Sequence, residues 1–218
     1  VDTDIQYPGI HALFDVAADR VKFSLNDYLL RRCAIEDAVC DVSHTLPHDK
    51  TVKSGRLFLI PSSMRTGEIT QIIQEGFDVG LLNAGFQQLI QILDLDYLLV
   101  DTHPGVNEET LLASAISDVL LLIIRPDRQD YQGTAIMLEL ARQLDVPNIF
   151  LLINKAVNNK DFLALQQRVE GTYHVPVVGV IPLSEEIAAL GSAGMFCLSN
   201  PQHVMTRTLS TALKNMRL

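Results

Sequence analysis

Residues 97–105 read YLLVDTHPG: four residues that favour a buried strand, then an acid, then a tight turn. Tyr97, Leu98, Leu99 and Val100 run into Asp101 without polar alternation, the pattern of a strand covered on both faces of a parallel sheet. Asp101 is thereby expected at the carboxyl end of a central strand, the edge at which open α/β sheets bind ligands. An Asp at that edge can hold magnesium beside a nucleotide's phosphates. It can equally do no more than open the turn through Thr102, His103, Pro104 and Gly105, as Asp often does ahead of Pro and Gly.

The 218 residues are 48% hydrophobic, enough for one large core, and a single domain is expected. Acids outnumber Lys plus Arg by 26 to 17, a formal charge of −9 that opposes general attraction to DNA or anionic lipid. Cys33, Cys40 and Cys197 have neither zinc-site spacing nor an even count, so free thiols and a cytoplasmic protein are expected. No apolar run approaches the ~20 residues that span a bilayer.

Working outward, VDTD (1–4) reads as a strand end followed by a short helix carrying Ile10, Leu13 and Phe14. Ser24 fits as the N-cap of a second short helix with Leu25, Tyr28 and Leu29 at helical spacing. Residues 41–55 form a polar loop, RLFLIPSS (56–63) a strand, and 66–76 and 79–94 helices. Beyond Gly105 helices at 107–116, 130–144 and 160–170 alternate with strands at 119–124, 149–154 and 177–182. This rhythm predicts right-handed βαβ units and a doubly wound, three-layer, mostly parallel α/β sheet. A last helix, 203–217, places Val204, Met205, Thr208, Leu209, Ala212, Leu213 and Met216 on one core-facing stripe, without the basic and aromatic faces of a membrane-surface helix.

In such a sheet the polar residues at strand ends gather at one edge: Asp2 and Asp4, Ser62 and Ser63, Asp101, Arg125 to Arg128, Asn154 and Lys155, and Pro182. Acids on separate strands, an amide and Gly- or Pro-containing turns suit a magnesium nucleotide better than acyl or glycosyl transfer. Neither a G-x-S-x-G elbow nor a GxGxxG turn is present. His11, His44, His48, His174 and His203 lie on helices, in the loop or before a strand, where solvated or core-satisfying roles are commoner than chemistry.

The ordered set VDTDIQYPGIHALF, RLFLIPSS, YLLVDTHPG, LLINK and VVGVIP resembles the MinD/ParA family of deviant Walker ATPases over nearly the whole chain. The resemblance implies ATP and Mg2+ as ligands, a P-loop NTPase-like fold, an ATP-dependent homodimer and a protein adaptor or activator. It also implies roles by position. Asp4 would order the attacking water and contact the magnesium shell, with Asp2 in support. Asp101 would be the Walker B acid, and the turn ending at Gly105 the segment that feels the γ-phosphate, with His103 where the family usually has Pro. Asn154 would read adenine, the turn after Pro182 would border the base, and Asp127 would face the partner subunit's nucleotide.

One departure stands against these matches. The family's glycine-rich phosphate loop, with its Lys before Ser or Thr, has no counterpart in residues 1–218; RTGEIT (65–70) lacks both the Lys and the glycine spacing. A strand, the loop and its helix, about 35–40 residues, are expected ahead of Val1. Without them, exposed apolar residues and unpaired backbone are expected in the middle of the sheet. Three functions remain open: an ATPase switch that positions a cargo such as a division site, chromosome or plasmid; a non-catalytic scaffold on the same fold; or another nucleotide-binding enzyme such as a carboxylate-activating synthetase.

Overall fold

The computed structural model describes residues 1–17, 20–47, 55–157 and 161–216. His48 and part of the expected 41–55 loop lie outside them. The described residues within 1–113 and 192–195 pack as one compact unit, and those within 114–191 and 196–216 as another.

The second unit carries the expected βαβ rhythm. Strands β3 (Val119–Ile124), β4 (Asn148–Ala156) and β5 (Val177–Pro182) form a parallel sheet in the order β3-β4-β5. Alternate residues of β3 and β4 feed opposite faces. Ile124, Leu151 and Ile153 pack with Leu138 of α6 (Arg128–Gln143) and with Leu165 and Val169 of α7 (Phe162–Tyr173). Leu152, with Val178 and Ile181, packs on the other side against Ala212 and Met216 of α10 (Val204–Asn215). Helix, sheet and helix make three layers, and the fold class is the α/β class expected from the sequence. Gly179 is required where α10 crosses β5: a Cβ there would come within 2.7 Å of Thr208 Cγ2. The stripe on α10 is narrower than its sequence suggests, since Val204 and Leu213 are 41% and 50% exposed.

Caps explain the helix starts. Asp127 accepts the Asp130 N–H at the head of α6, and Asp161 those of Leu163 and Ala164 at the head of α7. Two short helices, α8 (Glu185–Leu190) and α9 (Phe196–Ser199), were not expected. They are too brief to show a period in the sequence.

In the first unit, α1 (Ile10–Leu13) and α2 (Leu25–Leu29) fall where expected, and Ser24 and Asp27 form a capping box on α2. Helices α3 (Thr66–Glu75) and α4 (Val79–Leu93) complete a core that buries Leu25, Ile35, Leu82, Phe86 and Leu89. Gly85 of α4 lies against the Tyr28 ring, whose hydroxyl donates to Leu81 O at 2.8 Å.

Two strand expectations need correction. Within RLFLIPSS only β2 (Phe58–Leu59) is a strand, and it pairs antiparallel with β1 (Cys40–Asp41), a partner that two residues of sequence cannot reveal. The segment 97–101 is not covered on both faces: Tyr97 and Leu99 are 62% and 76% exposed, and only Asp101 pairs, through a parallel bridge to Asp2. The exposure departs from the reading of a strand covered on both faces and agrees with the other expectation, of exposed apolar residues in the sheet. Among the described residues its ladder runs to residues 1–3 alone, with Asp101 N–H donating to Val1 O and Thr3 N–H to Asp101 O, each at 2.9 Å.

Candidate functional site

The candidate site grows from that short ladder. Asp2 N–H donates to Ile60 O at 3.0 Å and the Ser62 hydroxyl to Asp2 O at 2.8 Å, so residues 1–3 lie between 60–62 and 99–101. Thr3 reinforces the second seam, its hydroxyl donating to Asp101 O at 2.6 Å. Asp101 and the chain leaving Asp2 therefore end side by side, and Asp4 meets the turn after Asp101: His103 Nδ1 stands 3.0 Å from Asp4 Oδ1.

The two acids of VDTD do different work. Asp2 is fully buried, and its carboxylate accepts N–H groups from Asp4 at 3.1 Å, Gly9 at 3.2 Å and Ile10 at 3.4 Å. It shapes the turn 4–10. Burial pushes its carboxyl above the ordinary range, against the three N–H bonds that favour the charged form. Asp4 is only partly buried; it accepts the Tyr7 N–H at 3.0 Å, and the Tyr7 ring stacks on His103 with centroids 5.9 Å apart. Gly105, at φ +117°, takes a backbone conformation that other residues resist and so permits the bend of the turn.

Asp101 stays open to solvent, yet partial desolvation and the charges of Asp2 and Asp4 push its carboxyl upward too. Among the described residues no Lys or Arg pairs with any of the three acids. Neighbouring carboxylates with no Lys or Arg partner are groups that could serve a hard divalent cation as oxygen donors. No three described metal-binding side chains form a cage by themselves. The phosphates are a different matter, for residues 1–218 supply no glycine-rich loop to cradle them.

The raised Asp101 carboxyl has a consequence for stability. A folded-state pKa above the unfolded 3.8 means that ionisation disfavours the fold, so Asp101 costs stability as pH rises through that window. Asp101→Asn is expected to raise Tm at pH 7, and the gain should close near about pH 3, where the acid is protonated in both states. Scanning calorimetry at the two pH values checks this; a lower Tm for the variant at neutral pH contradicts it.

Asp127, Asn154 and Pro182 lie in the second unit, all along the carboxyl edge of its sheet. β3 leads through Arg125 to Asp127; Ile124 pairs with Ile153 beside Asn154, and Pro182 pairs with Ala156. Asn154 occupies an irregularity in the β4–β5 register, where Lys155 takes φ +54° and donates its N–H to Asn154 Oδ1 at 2.8 Å. It does not cap the following helix, a place held by Asp161. Asp127 is engaged as the cap of α6, beside an Arg125–Asp130 pair at 2.8 Å. Pro182 is buried, and Leu183 after it is exposed. Sequence reasoning missed Thr3 and Tyr7, whose roles depend on a partner about a hundred residues away or on the local turn; the Pro-Gly pair after Tyr7 was the available signal.

No known family model matches the sequence. Over 194 residues, 89% of the chain, it is 21% identical to an uncharacterized ATP-binding protein of Methanocaldococcus jannaschii. Over 165 residues, 74% of the chain, it is 25% identical to a second such protein of that organism. The chain spans 66% and 53% of the lengths of these relatives. Its structure matches the MinD cell division protein of Aquifex aeolicus with a TM-score of 0.73 at 16% identity, over 100% of this chain and 83% of that one. A chain of the MinC:MinD cell division protein complex of the same organism gives 0.72 at 17%, over 100% and 82%. A ParA family ATPase of Chlorobium tepidum gives 0.67 at 16%, over 97% and 83%. The fold is thus of the P-loop NTPase-like α/β class. Within that class it is the fold of the MinD and ParA ATPases.

Proposed function

We propose that this protein is a MinD/ParA-type ATPase switch. ATP with Mg2+ draws two copies together, hydrolysis releases them, and the cycle positions a cargo such as a division site, chromosome or plasmid. The observation that carries the reading is the parallel pairing of Asp2 with Asp101, which sets Asp4 against the DTHPG turn. The fold and the ATP-binding relatives support the nucleotide, and the likeness to a MinC:MinD complex chain supports a protein adaptor. In the same reading residues 1–218 belong to one nucleotide-binding domain of a cytoplasmic protein. Its acidic charge disfavours direct contact with DNA or membrane.

Bound magnesium would offset phosphate charge and orient the γ-phosphate. Asp101 would hold it, directly or through water, and Asp4 would orient the attacking water and touch the magnesium shell. Asp2 fixes the turn that presents Asp4. Gly105 gives the turn its bend, Asn154 and the turn after Pro182 would border the base, and Asp127 would face the second copy's nucleotide while capping α6. The loop that cradles the phosphates has no counterpart in residues 1–218, so nucleotide binding is expected of a chain that carries one.

Hydrolysis of ATP by the full-length protein tests the reading: magnesium-dependent turnover supports it. Neither binding nor turnover would instead favour the scaffold. Base choice gives a separate check. Asn154 can offer both donor and acceptor to adenine, so Asn154→Ala is expected to narrow the preference for ATP over GTP by roughly 1–3 kcal/mol. A competition titration with unchanged preference removes Asn154 from the base site.

A further inference from the structure

His103 is the one basic side chain among the described residues that touches the acids of the candidate site, and it does so from the turn that follows Asp101. Its Nδ1 lies 3.0 Å from Asp4 Oδ1, across 99 residues of sequence. Its ring stacks on Tyr7 at an interplanar angle of 17°. Its carbonyl accepts the Thr110 hydroxyl at 3.2 Å, and Asn107 Oδ1 accepts the Thr110 N–H at 2.8 Å, which ties the turn to the start of helix α5 (Glu108–Ile116). The Tyr7 N–H reaches the same carboxylate oxygen, Oδ1, at 3.0 Å. Thus, among the described residues, the hydrogen bonds to the Asp4 carboxylate fall on one oxygen, and both side chains are mostly shielded, His103 24% and Asp4 15% exposed.

We propose that His103 is a positioning residue for Asp4: its imidazole, donating from Nδ1, fixes Oδ1 and so aims Oδ2 at the nucleophile. An ionised carboxylate only accepts, so the bond requires a proton on Nδ1. Two donors on Oδ1 hold the carboxylate torsion, and Tyr7 holds the plane of the imidazole by stacking. Positioned groups must sit within about 0.5 Å of productive geometry, and partners that orient them typically matter by 10–100-fold. The catalytic consequence rests on the ATPase reading; the bond itself does not.

Two measurements test the proposal. In the nucleotide-free protein, 15N NMR of the imidazole is expected to show His103 protonated at Nδ1, with that preference lost in Asp4→Ala, which has no side-chain acceptor. In ATP hydrolysis by the full-length protein, His103→Ala is expected to lower kcat about 10–100-fold with KM little changed. His103→Asn, whose amide nitrogen stands near the Nδ1 position, should restore most of the rate, whereas His103→Gln, which reaches toward the Nε2 position, should not. An Nδ1 preference indifferent to Asp4→Ala overturns the bond. Equal kcat for Ala, Asn, Gln and wild type overturns the positioning role. A wild-type protein without ATPase activity refutes the ATPase reading and the catalytic consequence together, while the tautomer still decides the bond.

Discussion

Asp4→Ala is expected to slow ATP hydrolysis by about a hundred- to ten-thousandfold, the range for a positioned acid–base group, while ATP stays bound. Asp4 stands at the bend leaving the 1–3 ladder, beside the turn that follows Asp101, and makes no ion pair with Lys or Arg among the described residues. A carboxylate so placed contributes to ordering water more than to holding an anion, since its charge opposes phosphate binding. The Ala variant also loses the Tyr7 N–H contact, so Asp4→Asn, which keeps an acceptor for that N–H, serves as the control for the turn. Single-turnover hydrolysis with separately measured ATP affinity checks the expectation. Wild-type rates in both variants contradict it.

The second large effect is a change of sign. With Mg2+ present, Asp101→Ala should weaken ATP binding by about 1.5–3 kcal/mol, the range for a contact to a charged group. That is roughly 10–150-fold in Kd. With Mg2+ chelated, the same substitution should leave ATP binding unchanged or tighten it, because a carboxylate facing an anion has been removed. Desolvation and the neighbouring Asp2 and Asp4 charges that push the Asp101 carboxyl upward are the forces a cation would relieve. Calorimetric titration of the full-length protein under the two conditions separates this from general damage, which would weaken binding in both. Equal weakening with and without Mg2+ contradicts a metal role for Asp101.

Much of the architecture was legible because its signals are local. β3, β4 and β5 are apolar runs bounded by turns, and Ser24 announces a helix start through a side chain that caps within three residues; Asp127 and Asp161 cap α6 and α7 in the same way but were not read as caps from the sequence. The segment 97–101 was harder, since an apolar run states what a strand prefers to touch and not whether anything lies against it; Leu99 is 76% exposed. The β1–β2 pair, two residues on each side, falls below the length at which any period shows. The site divides in the same way. Asp2, Asp4 and Asp101 were readable as acids at strand ends, but the burial that makes Asp2 a scaffold for the 4–10 turn was not. Nor was the bond between Asp4 and His103, set by parallel pairing of segments about a hundred residues apart.

The switch itself is tested most directly by the mass of the full-length protein in solution, measured by light scattering with Mg-ATP, with Mg-ADP and without nucleotide. The Asp4→Ala variant, expected to bind ATP and hydrolyse it slowly, should run at twice the monomer mass in Mg-ATP and at the monomer mass in Mg-ADP, while wild type should return to monomer as ATP is consumed. One unchanging mass for the variant under all three conditions would contradict an ATP-driven switch.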